Sequence, residues 1–289
     1  MRSWERAAAA LACLTPRDRS LLRVLRDLRY LTCGQAHRAC YDALAPRGAR
    51  VRLGELRRRG LLVRLRSGGF TDRRVFWGLA PLGRAAAAAL ERVEAGAAPE
   101  AAAVGTPRPD AVAALQMAHL IATNDLFCDV CAARRAGRLP ACRWLAAHRS
   151  IIDLGHTAVV PDAVVLIAGP DGWWVYYLER DRGTMPLAAI REKLDRYALL
   201  GKMSGAQTND PAWQPRVDAW LMFACDDRRR AHRIASLAAA SGLERVWAGL
   251  ADECVGGLAA SLGGVVATEP YPPLPAWAAG ALAVGEEPA

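Results

Sequence analysis

From its first turn signal onward, the chain alternates helical stripes with short β-prone runs. Thr15-Pro16-Arg17-Asp18 offers a capping residue followed by proline at the first helical position. Leu21, Leu22, Val24, Leu25 and Leu28 then recur at helical spacing up to Tyr30-Leu31 and predict a first helix. Thr32 caps a second, short helix through Ala39, and Pro46-Arg47-Gly48 opens a third segment, Val51 to Arg59, that ends at Gly60. Leu61-Leu62-Val63 and Val75-Phe76-Trp77 are β-prone, and Ser67-Gly68-Gly69 between them signals a hairpin. Pro81-Leu82-Gly83-Arg84 starts an alanine-rich helix. Residues 93–107, rich in Ala, Glu and Gly with prolines at 99 and 107, predict a linker or a loosely packed helix end.

The pattern changes after Arg108. A helix is predicted from Pro109 to Leu126, then a loop region, then apolar strand-like runs at 163–168 and 173–178. A helix at 187–200, a strand at 217–224, a helix at 228–241 and a strand near 245–250 follow, an α/β layering. The proline-rich stretch 269–289 reads as a peripheral tail. The fold expectation is therefore α/β, with a small front domain at 12–92 and a larger domain at 108–268.

Three helices followed by a hairpin is the order of a winged helix-turn-helix, and charge gives that order meaning. The 289 residues carry a net charge of +9, yet residues 1–92 hold 20 Arg against 7 acids, while the remainder is net negative. A positive field confined to the front domain is the footprint of a polyanion partner, here double-stranded DNA. Arg50, Arg52, Arg57, Arg58 and Arg59 belong to the third helix, with Arg47 in the segment that opens it, and Arg64, Arg66, Arg73 and Arg74 to the hairpin. Those are the two elements that reach a groove and its phosphates in such an architecture. The plain alternative is a solvated basic face on an interaction domain.

No apolar run is long enough to span a bilayer, and Met1-Arg2-Ser3-Trp4-Glu5-Arg6 makes a poor signal peptide, so the expected compartment is the cytoplasm. Eight scattered cysteines fit reduced thiols better than a disulfide framework. Cys128-x2-Cys131 with Cys142 and His148 lacks the paired spacing of a zinc site, and no P-loop or clustered His-x-His motif occurs. A homodimer is compatible with the pattern.

The chemistry-bearing stretch starts at Pro161-Asp162. The apolar run 163–167 leads to Gly169-Pro170-Asp171-Gly172, a β-turn signature, and the run Trp173 to Leu178 leads to Glu179-Arg180-Asp181. A turn centred on Pro170-Asp171 places Asp162 directly across from Glu179, with Asp181 on the same face and Arg180 on the other. Like charges at the end of a covered sheet call for something positive between them. A hard cation bound by oxygens, Mg²⁺ or Mn²⁺, meets that need. The plain alternative makes Asp162 a strand-entry turn residue and 179–181 a solvated loop.

The basic front domain followed by PDAVVLI…WWVYYLERDRGTMPLAAIREKLDRY resembles the replication-relaxation family of bacterial mobile elements, over about residues 12–255. The family is in turn similar to plasmid relaxases built on the PD-(D/E)xK nuclease fold. The segment Ala118-His119-Leu120…Asn124-Asp125 shares the resemblance. It implies metal-dependent nicking of one DNA strand, at an origin-like site, during replication or transfer. Asp162 and Glu179 would be metal ligands, with Asp181 at the position usually held by lysine. The lysine would then be Lys193 on the following helix, one turn before Tyr197; only Lys193 and Lys202 interrupt an otherwise all-arginine basic set. Lys193 would hold the phosphate or help deprotonate the nucleophile, which would be a metal-activated water or a tyrosine such as Tyr197, and His119 would polarise groups near the metal. The departure at Asp181 equally supports a non-catalytic DNA-binding regulator with a degenerate nuclease-like domain; a nuclease acting against foreign DNA is a third reading.

Overall fold

The protein, described by a computed structural model over residues 3–66, 75–94, 114–169, 172–202, 219–262 and 282–284, is a mixed α/β chain. It divides into two compact units at Cys128–Asp129.

The first unit runs α1 (Ser3–Ala12), α2 (Pro16–Leu28), β1 (Leu31–Thr32), α3 (Cys33–Cys40), α4 (Pro46–Arg58), β2 (Leu62–Arg66), β3 (Val75–Leu79) and α5 (Pro81–Glu94), and continues into α6 (Ala114–Arg135). The predicted helices appear and β2 pairs with β3 antiparallel, the turn expected at Ser67-Gly68-Gly69 lying outside the described residues. The Thr15 and Thr32 caps are both full capping boxes, closed by Asp18 and Gln35. Gly60, with φ 75°, ends the turn that stops α4, a conformation glycine adopts without a Cβ clash. Two elements were not legible. The helix α1 lies where the sequence offers only a poor signal peptide, and β1 adds a third strand where the α2 stripe reaches Tyr30-Leu31, pairing Leu31 with Trp77 and Thr32 with Phe76. Sheet order is β1-β3-β2, antiparallel throughout.

The first half of α6 is tied to this unit by polar contacts. Asn124 donates to the carbonyls of Leu28 (3.3 Å) and Tyr30 (2.7 Å), and Gln35 donates to the carbonyl of Ile121 (2.8 Å). Buried amides so used fix a helix to a frame. The packing boundary therefore falls inside α6 rather than at 93–107, and Ala114–Cys128, expected with the second domain, belongs to the first. Most of that linker lies outside the described residues. α6 also outlasts its predicted end at Leu126, because Val130, Cys131 and Ala133 continue its buried side.

The second unit is built on a six-stranded sheet. It comprises β4 (Cys142–Ala146), a small hairpin of β5 (Ile152–Asp153) and β6 (Ala158–Val159), then β7 (Ala163–Gly169), β8 (Gly172–Asp181), α7 (Leu187–Lys202), β9 (Trp220–Cys225), α8 (Arg228–Ala240), β10 (Val246–Leu250), α9 (Cys254–Ser261) and β11 (Leu282–Val284). Strand order is β10-β9-β8-β7-β4-β11, with β8, β9 and β10 parallel and the other neighbours antiparallel. Parallel neighbours need crossover helices, which α7 and α8 supply.

One sheet face, with Val164, Leu166, Val175, Tyr177, Leu221 and Phe223, packs on Ile190 and Leu194 of α7 and Ala231 and Ile234 of α8. The opposite face is buried as well, and Ser261 at the end of α9 donates to the Tyr176 hydroxyl there (3.0 Å). A sheet covered on both sides explains why β7 and β8 read as continuous apolar runs. The strands β4 and β11 and the helix α9 were not foreseen. Part of the 269–289 tail is thus a sheet edge: Leu282 and Val284 are buried on either side of exposed Ala283, and β11 pairs with β4.

Candidate active site

The hairpin register is the one the turn spacing predicts. Ala163 pairs with Leu178, and Gly169 with Gly172, the turn residues 170–171 lying outside the described set. Asp162 precedes β7 by one residue and stands at the next position, towards Glu179. The backbone N–H of Arg180 donates to Asp162 Oδ2 at 2.7 Å, so the loop before β7 is fastened to β8 at that level.

Glu179 is 2% exposed. The helix α7 brings two residues one turn apart onto its carboxylate: the Lys193 ammonium forms an ion pair with Oε2, and the Tyr197 hydroxyl donates to Oε1 at 2.6 Å. Burial pushes the Glu179 carboxyl up to about 7; the neighbouring Asp162 charge adds to the rise, against the downward pull of Lys193 and Tyr197. For Lys193, burial pulls the value down, but the charges of Glu179 and Asp162 outweigh it and hold the group above its ordinary range, so it stays an ammonium. Tyr197 is driven well above its ordinary value by burial, then by Glu179. In this arrangement the Tyr197 hydroxyl is buried and spent on Glu179, with its ring packed in the core of the second unit.

Asp181 shares Glu179's side of β8 yet serves another partner. Its carboxylate accepts from Arg230 Nε on α8 at 2.6 Å and from the backbone N–H of Gly183 at 2.9 Å, while Arg230 also reaches the Met185 carbonyl at 2.5 Å. Arg180, on the opposite side, pairs with Asp226 and donates to the carbonyls of Asp181 and Ala224, each at 2.9 Å. Arg230 thus clamps the loop between β8 and α7, and Arg180 ties the end of β8 to the end of β9 and the loop before α8. The run Asp226-Asp227-Arg228-Arg229-Arg230 was the available signal, but only the three-dimensional path of α8 assigns its partners.

Among the described residues, no group of three or more His, Cys, Asp or Glu side chains converges as a metal site. What remains is a two-carboxylate set, Asp162 and Glu179. Mg²⁺ commonly binds through one or two carboxylates and completes its shell with water and phosphate oxygens; here both Glu179 oxygens are held by Lys193 and Tyr197. His119 sits on α6 in the first unit, whereas the acids and Lys193 belong to the second. Of the zinc-like cysteines, Cys128 donates to the Gln35 carbonyl and Cys142 to that of Pro140.

The arginines of the first unit separate into two kinds. Arg47, Arg50, Arg57 and Arg58 are exposed along α4, and Arg64 is exposed on β2. Arg59 is half-buried and reaches the Cys13 carbonyl at 3.3 Å. Arg52 faces inward, with Nε and Nη2 on the two oxygens of Asp18 (2.9 and 2.5 Å) and Nη1 on Glu55 (2.5 Å), so its guanidinium is used within the fold. The side chain of Arg66, and Arg73 and Arg74 entirely, lie outside the described residues.

Together these features define a two-unit α/β protein with an arginine-lined helix in one unit and a buried acid–lysine cluster at the end of a covered sheet in the other. The sequence profile of the replication-relaxation family matches residues 22–217, about two thirds of the chain, and the protein belongs to that family. No curated protein matches it, and no solved structure does either.

Proposed function

We propose that this protein binds duplex DNA through its first unit, as a winged helix-turn-helix, and nicks one strand with a PD-(D/E)xK-like second unit. The family suggests the replication or transfer of a mobile element as the setting, and DNA in the cytoplasm is the substrate we propose. Among the described residues no helix is long and apolar enough to cross a membrane. One observation carries the catalytic half: Asp162, Glu179 and Lys193, three residues from three elements, come together at one end of β7 and β8.

Asp162 and Glu179 would hold Mg²⁺ or Mn²⁺. When bound, the cation supplies a Lewis acid for the phosphoryl oxygens and a more acidic water. Lys193, kept charged by the two acids, sits where an ammonium can face a phosphate and offset the charge that builds up on it. Tyr197 fixes the orientation of Glu179 by holding Oε1. The nucleophile is then water rather than tyrosine, and the product strand is not linked to Tyr197.

A second reading has its own support. Both Glu179 oxygens already have partners and Asp181 is committed to Arg230, which suits a DNA-binding regulator with a degenerate site. The discriminating experiment incubates supercoiled plasmid carrying the element's own replication origin with Mg²⁺ or Mn²⁺, using wild type and the Asp162→Ala, Glu179→Ala double variant. Open circles from wild type alone support the nicking enzyme. Equal inactivity of both, with duplex binding retained, selects the regulator.

A further inference from the structure

The outward side of α4 carries a residue that phosphate binding does not explain. Arg47, Val51, Gly54 and Arg58 follow one another at three- and four-residue spacing, opposite buried Ala49, Leu53 and Leu56, with Arg50 and Arg57 flanking. Val51 is the most exposed large apolar side chain among the described residues, at 61%. A lone exposed valine is unremarkable on most surfaces. Here it stands among four exposed arginines, and the one acid of α4, Glu55 at the flank, has its charge offset by Arg52.

Gly54 is a second, independent oddity. It interrupts a helix interior, where glycine is unfavourable, yet a Cβ there would meet only the tip of Arg58, at 4.0 Å. Packing therefore does not require the glycine. What a missing side chain on the outer face provides is close approach of the helix backbone to whatever docks there.

We propose that this face of α4 enters the DNA major groove and reads thymine through its 5-methyl group, with Val51 as the reading residue, Gly54 allowing the approach, and the arginines gripping phosphates and guanine edges. The inference rests on the DNA-binding reading of the first unit and adds base specificity to it. The major groove is where a thymine presents a methyl group, and apolar side chains are the partners that distinguish it. Phosphate contacts alone would favour a uniformly basic face.

The test uses thymine's own chemistry. Duplexes that the full chain enriches from a randomised pool are resynthesised with deoxyuridine at single thymine positions, deleting only the methyl group. Wild type should lose about threefold to tenfold in affinity at one or two positions, the worth of one buried methyl-sized contact. Val51→Ala should bind the thymine and deoxyuridine forms alike at those positions. Arg58→Gln should weaken both forms equally and lower the slope of log affinity against log salt by about 1. Enriched duplexes that bind equally with or without the methyl group overturn the inference alone, as does a methyl dependence that persists in Val51→Ala. Failure of wild type to retain any duplex removes the DNA-binding reading along with it.

Discussion

Asp18 in the first unit and Glu179 in the second are both almost fully buried carboxylates, and they end in opposite electrostatic states. Asp18 accepts from the Thr15 N–H (2.9 Å) and hydroxyl (2.7 Å), from the Tyr41 hydroxyl (2.8 Å), and from two nitrogens of Arg52. Burial raises its pKa, but those donors more than reverse this, and it lies below the ordinary carboxylate range. Glu179 has one ammonium, one phenol and a like-charged neighbour, and ends at about 7. A forked guanidinium matches a carboxylate's two oxygens, whereas an ammonium meets it as a point charge. Asp18 is thus a closed structural joint between α2 and α4. Glu179 keeps a raised pKa despite its two donors, a state that the cation proposed above would relieve.

The largest effect expected is on the closed joint. Arg52→Met leaves a buried charge without its counter-ion and should cost about 3–5 kcal/mol of stability by chemical denaturation. Duplex binding should fall with it, since α4 loses its anchor to α2. A variant of wild-type stability would show that Asp18 is not the lock its contacts describe.

Glu179→Gln should behave differently. It removes the ion-pair partner of Lys193 but also one of two neighbouring negative charges, and Asp162 stays near the ammonium. The stability loss should therefore be smaller than that of Arg52→Met, while metal-dependent nicking should fall by at least about a hundredfold. Loss of stability comparable to that of Arg52→Met, measured in the same denaturant series, would make Glu179 another structural ion pair and collapse the contrast.

The titrations of the metal-free protein sharpen it further, because their signs differ. Asp18 has a depressed folded-state pKa, so at low pH the unfolded chain binds more protons. Its contribution is complete above the ordinary aspartate value of about 3.9 and is lost as pH falls through the depressed value. Glu179 is raised from 4.5 to about 7, so across that window the folded chain keeps a proton that the unfolded chain has released. Stability from this group therefore declines as pH rises from 4.5 to about 7. Denaturation midpoints against pH should lose the acid-side slope in Arg52→Met and the neutral-side slope in Glu179→Gln. If both variants flatten the same limb, the two carboxylates are not distinct in the way proposed.

What was legible in the sequence follows from the range of each signal. Caps, prolines and helical stripes act within a few residues, and they located α2, α3, α4 and the β2–β3 hairpin. Turn geometry propagates along a two-stranded pairing, so Gly169-Pro170-Asp171-Gly172 was enough to set the Ala163–Leu178 register and bring Asp162 towards Glu179. The rarity of lysine singled out Lys193, and its spacing to Tyr197 placed both on one side of α7. Contacts between elements distant in sequence carried no comparable mark. Nothing local says that Arg230 claims Asp181 across 49 residues, or that Arg52 turns inward to Asp18 while Arg50 does not. Short edge strands failed for the same reason: β1 has two residues and β11 three, too few for a periodicity to register.

The smallest expected effect is at Gly54, and it asks whether the trade seen at Glu179 recurs in the first unit. Glycine within a helix is less stable than alanine by about 0.5–1 kcal/mol. With only the Arg58 tip at 4.0 Å from a new Cβ, Gly54→Ala has no clash to set against that gain. The thermal midpoint should therefore rise by a few degrees, while affinity for the enriched duplex falls severalfold and the salt dependence stays unchanged, because no phosphate-binding charge is lost. A rise in both stability and affinity would make the glycine an accident of sequence. Opposed changes would place α4 with Glu179, as a position where the chain forgoes stability that the Asp18 joint retains.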